Sequence, residues 1–153
     1  MASANVSRIL GLKGYTSTVT TACAAGSQAI GEGAEVIRRG AADVVLSGGC
    51  EAGICHLGLG GFNVIKALTR QNEPPEKASR PFDAKRDGFV PAEGAAVLVL
   101  EKLEHAINRG AEILAEVVGY GVSSDAYHAV QPDQDGEGAA RAIKWALADA
   151  NIH

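Results

Sequence analysis

The chain has 153 residues, of which 46% are hydrophobic, and its 14 basic and 18 acidic side chains give a net charge of −4. This length suits one domain with a hydrophobic core. The acidic balance and the scattered basic residues provide no positive field, which excludes a nucleic-acid partner. Apolar runs such as residues 95–100 are too short to span a bilayer, and no signal-peptide pattern follows Met1. The composition therefore predicts a cytoplasmic protein with no membrane partner.

A cysteine stands at a predicted change from strand to helix early in the chain. Residues 15–20 are rich in strand formers, and residues 24–39 carry apolar side chains at helical spacing, so Cys23 lies between the two. The unpaired N–H groups and the positive end of a helix favour a thiolate, which is a nucleophile. The alternative interpretation is a small buried packing residue, and spacing alone leaves both open.

After this helix, apolar runs that predict strands alternate with apolar spacing that predicts helices. The predicted strands cover residues 43–49, 94–100 and 113–123. Residues 53–68 are predicted to be glycine-rich and then helical, and further helices are predicted at residues 101–109 and 138–149, the last capped near Asp135 or Gly136. The first two strands are expected to be fully buried because their apolar runs are continuous. The alternation predicts an α/β sheet with helices on its faces.

A long surface loop is predicted at residues 67–86, which contain three prolines and most of the local charge. Loops of this length in compact domains are usually functional or disordered. Arg86 is expected to pair with the carboxylates of Asp83 and Asp87 and so to hold the end of the loop.

The two other cysteines, Cys50 and Cys55, follow a predicted strand and enter a glycine-rich turn. Three cysteines without Cys-x-x-Cys spacing indicate neither a disulfide framework nor a zinc site, and no metal-ligand spacing occurs elsewhere. We therefore expect Cys50 and Cys55 to be small packing residues.

Several segments of the chain resemble, in the same order, segments of one enzyme family. They are the nucleophile motif Thr21-Ala22-Cys23-Ala24-Ala25-Gly26 and residues 42–52, 79–90, 93–101 and 123–136. Over nearly its whole length the chain resembles the beta-ketoacyl-acyl carrier protein synthases, the condensing enzymes of the thiolase superfamily. It is more similar to the elongating synthases of bacterial-type fatty acid synthesis than to modular polyketide synthase domains.

The resemblance implies a thiolase-like layered αβαβα fold that is only partial, because the chain matches the middle portion of the family. Residues 1–153 would form part of one synthase domain, containing the nucleophile. The family's N-terminal portion and its two histidine segments, of the types Asn-Ala-His-Gly-Thr and Lys…Gly-His, are absent from this sequence. We expect an internal fragment that is inactive in condensation when isolated.

The resemblance also implies roles for four residues. Cys23 matches the catalytic nucleophile. Phe62 matches an aromatic that lines the acyl pocket, with an ordinary core residue as the alternative, and Lys66 matches a basic position near the entrance used by the carrier protein, with a solvated charge as the alternative. His128 lies in a loop beside the active site and is assigned a supporting role, outside the catalytic pair of histidines. Val130 replaces a threonine that often contacts the pantetheine arm in the family.

The implied reaction is a decarboxylative Claisen condensation. Cys23 accepts an acyl group from an acyl carrier protein, and the acyl-enzyme condenses with malonyl carrier protein. The resemblance implies no cofactor or metal in the chain, because phosphopantetheine is carried by the partner acyl carrier protein, and it implies a homodimer. Three alternatives remain at this stage: a type II polyketide ketosynthase, a non-condensing acyl-binding protein, and a dimerisation partner of a complete synthase.

Overall fold

A computed structural model describes residues 2–152 of the chain. The helices are α1 (Ala2–Leu10), α2 (Ala25–Arg38), α3 (His56–Val64), α4 (Leu103–Asn108) and α5 (Glu137–Asp149), and the strands are β1 (Val44–Glu51) and β2 (Gly94–Glu101). Short 3₁₀ helices cover Ala22–Ala24 and Pro75–Lys77. The predicted helices and the first two predicted strands are thereby confirmed, and the described chain has an α/β fold. Within residues 2–152, no helix combines the length and the apolar character that crossing a membrane requires.

The chain divides into two compact units. The first unit contains the residues up to Gly49 together with those from Val97 onward, and the second unit contains Cys50–Ala96. Strands β1 and β2 pair in a two-stranded sheet. The Lys102 N–H, just after β2, donates to the Asp43 carbonyl, just before β1, over 2.9 Å. The end of β2 therefore meets the beginning of β1, and the strands run antiparallel.

In the first unit, helix α2 packs closely on β1 because small residues face each other. A Cβ atom on Gly33 would lie 3.0 Å from a Leu100 methyl group and 3.2 Å from the Ser47 Cβ. The buried Ser47 hydroxyl donates to the Ala29 carbonyl over 2.6 Å, so strand and helix are also joined by a hydrogen bond. This contact fixes the start of α2, where Cys23 lies, relative to the sheet.

The prediction that both strands are fully buried is wrong. Ser47 is the buried residue of β1 and Leu100 that of β2, whereas Val97 and Val99 are 58% and 60% exposed. Alternate side chains of a strand point to opposite faces. Leu100 faces α2, and the valines on the opposite face of β2 remain exposed.

Neither residues 15–20 nor residues 113–123 form a β-strand, which corrects two further predictions. In the second of these segments, backbone groups bond to side chains of helices. The Arg38 guanidinium donates to the Val118 carbonyl over 3.1 Å, and the Tyr120 N–H donates to the Asp149 carboxylate over 2.9 Å. These two side chains satisfy one carbonyl and one N–H of the segment, which forms no strand pairing within the described residues.

All five helices of the described chain end with the same backbone arrangement. The second residue past α1, and the third residue past each of the other four helices, donates its N–H to a carbonyl five residues earlier, and the residue before this donor has a positive φ. This is the Schellman motif. The positive-φ positions are Gly11, Gly40, Lys66, Gly110 and Asn151. Glycine and asparagine adopt this conformation readily, so Lys66, with φ of 56°, is the exception.

In the second unit, residues 67–89 are held by backbone pairing and by one carboxylate. Leu68 and Phe89 form an isolated parallel bridge. Asp87 accepts hydrogen bonds from the Thr69 hydroxyl and from the Arg70 N–H, and these bonds lower the pKa of Asp87. The expected pairing of Arg86 with carboxylates is wrong, because the Arg86 guanidinium donates to the backbone carbonyl of Asp83 over 2.9 Å.

Candidate active site

Cys23 lies in the 3₁₀ turn Ala22–Ala24 that leads directly into α2, and it is exposed. The interpretation as a small buried packing residue is therefore wrong. The predicted strand before it is also wrong, but the predicted junction with the helix is confirmed. The Ala24 N–H donates to the Thr21 carbonyl over 3.1 Å, which closes the turn around Cys23.

An open cleft of about 830 Å³ contains Cys23. Two segments of the first unit form its walls, residues 21–24 around the cysteine and residues 123–132 around His128. The structure therefore brings Cys23 and His128, two residues assigned roles on the basis of the resemblance, to one site.

Backbone in the left-handed region occurs on both walls of this cleft. Ala22, directly before Cys23, has φ of 49°, and Ala126, two residues before His128, has φ of 51°. A residue with a Cβ atom adopts this region at a cost of about 1–2 kcal/mol. Strained backbone concentrates at functional sites. Nothing in the sequence around Ala126 indicates this conformation, so the sequence analysis missed it.

The wall around His128 is anchored to α5. The Arg141 guanidinium donates to the Ser124 carbonyl over 3.0 Å, and the Ser123 hydroxyl donates to the Gly138 carbonyl over 2.5 Å. The Asp125 carboxylate accepts a hydrogen bond from the Asp133 N–H over 2.9 Å. These contacts hold both ends of the segment that carries His128.

His128 turns one ring nitrogen toward its own backbone. Its Nδ1 accepts hydrogen bonds from the N–H groups of Val130 and Gln131, each over 3.0 Å. Val130, which replaces the family's threonine, thus takes part in this loop through its backbone, while its side chain is 71% exposed.

The other histidines are placed differently. His56 begins α3 in the second unit, and His105 lies on α4, where its Nδ1 contacts Glu101. Bidentate hydrogen bonds from Arg109, together with the contact to His105, lower the pKa of Glu101 to about 2. His153 lies outside the described residues. Among the histidines that the structure describes, His128 alone lines the cleft with Cys23.

Phe62 and Lys66 belong to the second unit. Phe62 lies in α3, where its ring is 49% exposed and meets Phe89 edge to face with a centroid distance of 6.3 Å. An ordinary core position is therefore wrong for Phe62, and its role in the acyl pocket stays a prediction. Lys66 is exposed just past the end of α3, and its role at the carrier-protein entrance also stays a prediction.

Cys50 and Cys55 are exposed, so the expectation of small packing residues is wrong for both. Cys55 precedes α3 as its N-cap residue, and its sulfur accepts a hydrogen bond from the Gly58 N–H over 3.4 Å. The sequence analysis missed this because cysteine is not among the usual N-cap residues. Reagents that react with thiols can therefore reach three cysteines in this chain.

Comparison with models of known protein families assigns this chain to a family. The family model described as "Beta-ketoacyl synthase, N-terminal domain" matches residues 1–106. The chain belongs to the beta-ketoacyl synthase family. The model of the beta-ketoacyl synthase C-terminal domain matches residues 114–153. The resemblance found in the sequence is thereby confirmed.

Individual beta-ketoacyl synthases are similar to nearly the whole chain. The 3-oxoacyl-(acyl-carrier-protein) synthase 2 of Rhizobium meliloti strain 1021 is 54% identical over 92% of this chain, and that of Vibrio harveyi is 48% identical over 99% of it. The chain spans 34% and 37% of the length of these two relatives.

Solved structures of ketosynthases share the fold. One is described as a type II PKS acyl-carrier protein in complex with its ketosynthase bound to the hexaketide. It is 44% identical with a TM-score of 0.94, over 99% of this chain and 38% of that one. A beta-ketoacyl synthase from Burkholderia phymatum STM815 is 46% identical with a TM-score of 0.91, over 97% of this chain and 36% of that one. The fold is therefore a part of the thiolase-like ketosynthase fold.

Proposed function

We propose that Cys23 is the acyl-accepting nucleophile of a 3-oxoacyl-acyl carrier protein synthase that acts in fatty acid biosynthesis. The observation that carries this proposal is the exposed Cys23 thiol in an open cleft at the start of α2. The similarity to enzymes named 3-oxoacyl-(acyl-carrier-protein) synthase 2 over 92–99% of the chain supports it.

The proposed first step is transfer of an acyl group between two thiols. The Cys23 sulfur, as a thiolate, attacks the carbonyl carbon of an acyl thioester, and a new carbon–sulfur bond forms as the carbonyl oxygen becomes an oxyanion. The oxyanion then collapses, and the bond to the donor sulfur breaks. The released thiol takes up the proton that the Cys23 thiol gave up, so the step needs no oxidant or metal. The backbone N–H of Cys23 is the proposed donor to the oxyanion.

The proposed second step is condensation of the acyl-enzyme with malonyl carrier protein, in which loss of carbon dioxide supplies the carbanion. The family resemblance assigns stabilisation of that carbanion to two histidines in sequence contexts that this chain does not contain. We therefore assign the acyl transfer to the 153 residues and the condensation to a protein that has both histidines.

The proposed partners and setting come from the same resemblance. They are acyl carrier protein with its phosphopantetheine arm, acyl and malonyl thioesters, a second copy in a homodimer, and a cytoplasmic location, with no cofactor bound by the chain itself. The similarity to a ketosynthase solved in complex with an acyl-carrier protein supports the first of these.

A type II polyketide ketosynthase is the second candidate function. The specific observation in its favour is a pair of similar structures, a type II PKS acyl-carrier protein with its ketosynthase and the ishigamide ketosynthase/chain length factor, each 44% identical to this chain. Both candidates require acylation of Cys23, and they differ in the acyl chain that is extended.

The first experiment measures acylation of Cys23 by mass spectrometry. The chain carrying Cys50→Ser and Cys55→Ser is incubated with hexanoyl-N-acetylcysteamine, and peptides are mapped for the added hexanoyl group. These substitutions remove the two other exposed thiols, and serine at position 55 retains a group that caps α3. We expect one hexanoyl group, on Cys23, and none after Cys23→Ala. A chain that stays unmodified would exclude the proposed function.

A further inference from the structure

His128 is held in one tautomer by its own loop. The N–H groups of Val130 and Gln131 both point at Nδ1, each at 3.0 Å, so Nδ1 must present its lone pair. A neutral imidazole has one N–H, and the other nitrogen therefore carries it. The geometry assigns the proton of His128 to Nε2.

This tautomer makes His128 a hydrogen-bond donor on the wall of the cleft that contains Cys23. The lone pair of Nδ1 already accepts hydrogen bonds from two backbone N–H groups. Nδ1 is therefore not free to accept a proton from a cysteine thiol. His128 is exposed, and its other ring nitrogen offers a single N–H, which suits one oxygen acceptor on a ligand.

The charge of the surrounding wall selects the kind of acceptor. Asp125 lines the same cleft, and its negative carboxylate disfavours binding of an anionic group close to it. An uncharged carbonyl oxygen meets both conditions, because it accepts one hydrogen bond and brings no charge. The thioester donor of the proposed reaction carries such oxygens in the amide groups of its arm.

We propose that the His128 Nε2–H binds an amide carbonyl oxygen on the arm of the thioester that acylates Cys23. The proposal rests on the proposed function, and it makes His128 a substrate-binding residue that provides no proton to the reaction. A histidine suits this position because one ring nitrogen accepts hydrogen bonds from two backbone N–H groups, and the other ring nitrogen carries an N–H that can bind a ligand.

Two substitutions separate this binding role from a structural role in the loop. His128→Asn keeps an oxygen near the position of Nδ1, which can accept from Val130 and Gln131, but it removes the N–H at the far side of the ring. His128→Ala removes both the acceptor for the two backbone N–H groups and the ring N–H. The two thioesters to compare are hexanoyl-N-acetylcysteamine, which has an amide carbonyl, and S-ethyl hexanethioate, which has none. Both are tested on the chain with Cys50→Ser and Cys55→Ser.

We expect His128→Asn to lower the rate of Cys23 acylation by the amide-bearing thioester about fivefold, the factor expected for one neutral hydrogen bond, and to leave the ethyl thioester unchanged. His128→Ala should show the same selective loss and, in addition, faster hydrogen exchange at Val130 and Gln131. A His128→Asn chain that slows both thioesters equally, or neither, would overturn the proposal.

A measurement without substrate tests the tautomer independently. Nitrogen-15 NMR of the imidazole distinguishes a protonated Nε2 from a protonated Nδ1, and we expect the proton on Nε2. A proton on Nδ1 overturns the proposal whatever the kinetics show. If neither thioester acylates Cys23 in the parent chain, the proposed function fails and the binding role fails with it, whereas selective acylation without an effect of His128→Asn overturns the binding role alone.

Discussion

Gly26 and Gly49 bring helix α2 and strand β1 into backbone contact, because a Cβ atom on Gly49 would lie only 3.2 Å from the Gly26 Cα. Gly26 is the second residue of α2, three positions after Cys23. The close approach therefore sets the position of the turn that presents the thiol. A side chain at Gly49 has to push the start of the helix away from the strand, whereas a Cβ atom on Gly26 would lie at an ordinary contact distance of 3.7 Å from the Gly49 Cα.

Gly49→Val should destabilise the first unit and disturb the site. We expect a loss of about 1–3 kcal/mol in the free energy of unfolding, the usual cost of overpacking. The measurement is the urea midpoint together with the rate at which iodoacetamide alkylates Cys23. Gly94→Val is the matched control, since Gly94 also lies in a strand and nothing lies within 4 Å of its added Cβ atom. Equal stability of the two variants would contradict this account of the contact.

Lys66→Gly should stabilise the end of α3. Lys66 occupies a left-handed position that glycine adopts without a steric cost, and we expect a gain of about 0.5–1 kcal/mol in the free energy of unfolding. Lys66→Ala removes the same charge and keeps the unfavourable conformation, so it should show no such gain. If both variants also lose affinity for acyl carrier protein equally, the charge of Lys66 contributes to that binding. A destabilised Lys66→Gly chain would contradict the assigned geometry.

Cys55→Ala should cost about 1 kcal/mol through loss of the N-cap of α3, whereas Cys55→Ser should retain the cap. Thermal unfolding of the two variants provides the comparison. Cys50→Ala is the control, because Cys50 is an exposed cysteine that lies in β1 rather than at a helix start. The same loss of stability in Cys50→Ala would indicate a general effect of removing a thiol.

Stability should depend on Glu101 at acid pH. The contacts with Arg109 and His105 lower its pKa from 4.5 to about 2, so the folded chain holds the ionised carboxylate more firmly than the unfolded chain does. The resulting stabilisation is fully present above pH 4.5 and is lost as the pH falls toward 2. Unfolding by urea between these pH values should show a steeper decline for the parent chain than for Glu101→Gln. Parallel declines would mean that Glu101 contributes nothing to acid sensitivity.

The isolated 153 residues should transfer an acyl group to Cys23 without condensing it. Release of labelled carbon dioxide from malonyl carrier protein, incubated with the acylated chain, measures condensation directly. We expect no release above that of Cys23→Ala, because the two histidine contexts of the family do not occur in this sequence. Turnover by this chain would show that other residues stabilise the carbanion.

The amino-acid sequence was sufficient for the local structure of the site and for the family. Apolar spacing located helix α2 and placed Cys23 at its start, because a helix of this length has a distinct periodic face. Motifs such as residues 21–26 carried the family resemblance without any tertiary information. Strand burial and the role of residues 113–123 were wrong, since both depend on which partners the backbone and side chains meet.

The tertiary structure decided how distant residues combine at the cleft. Cys23 and His128 are 105 positions apart in the sequence, and only the packing of the first unit places both on one cleft. The tautomer of His128 depends on the direction of two backbone N–H groups, which no residue pattern specifies. Sequence thus determined which chemical groups are present and which helix carries the thiol, whereas the fold of the backbone determined their neighbours, because hydrogen bonds and burial depend on position in space.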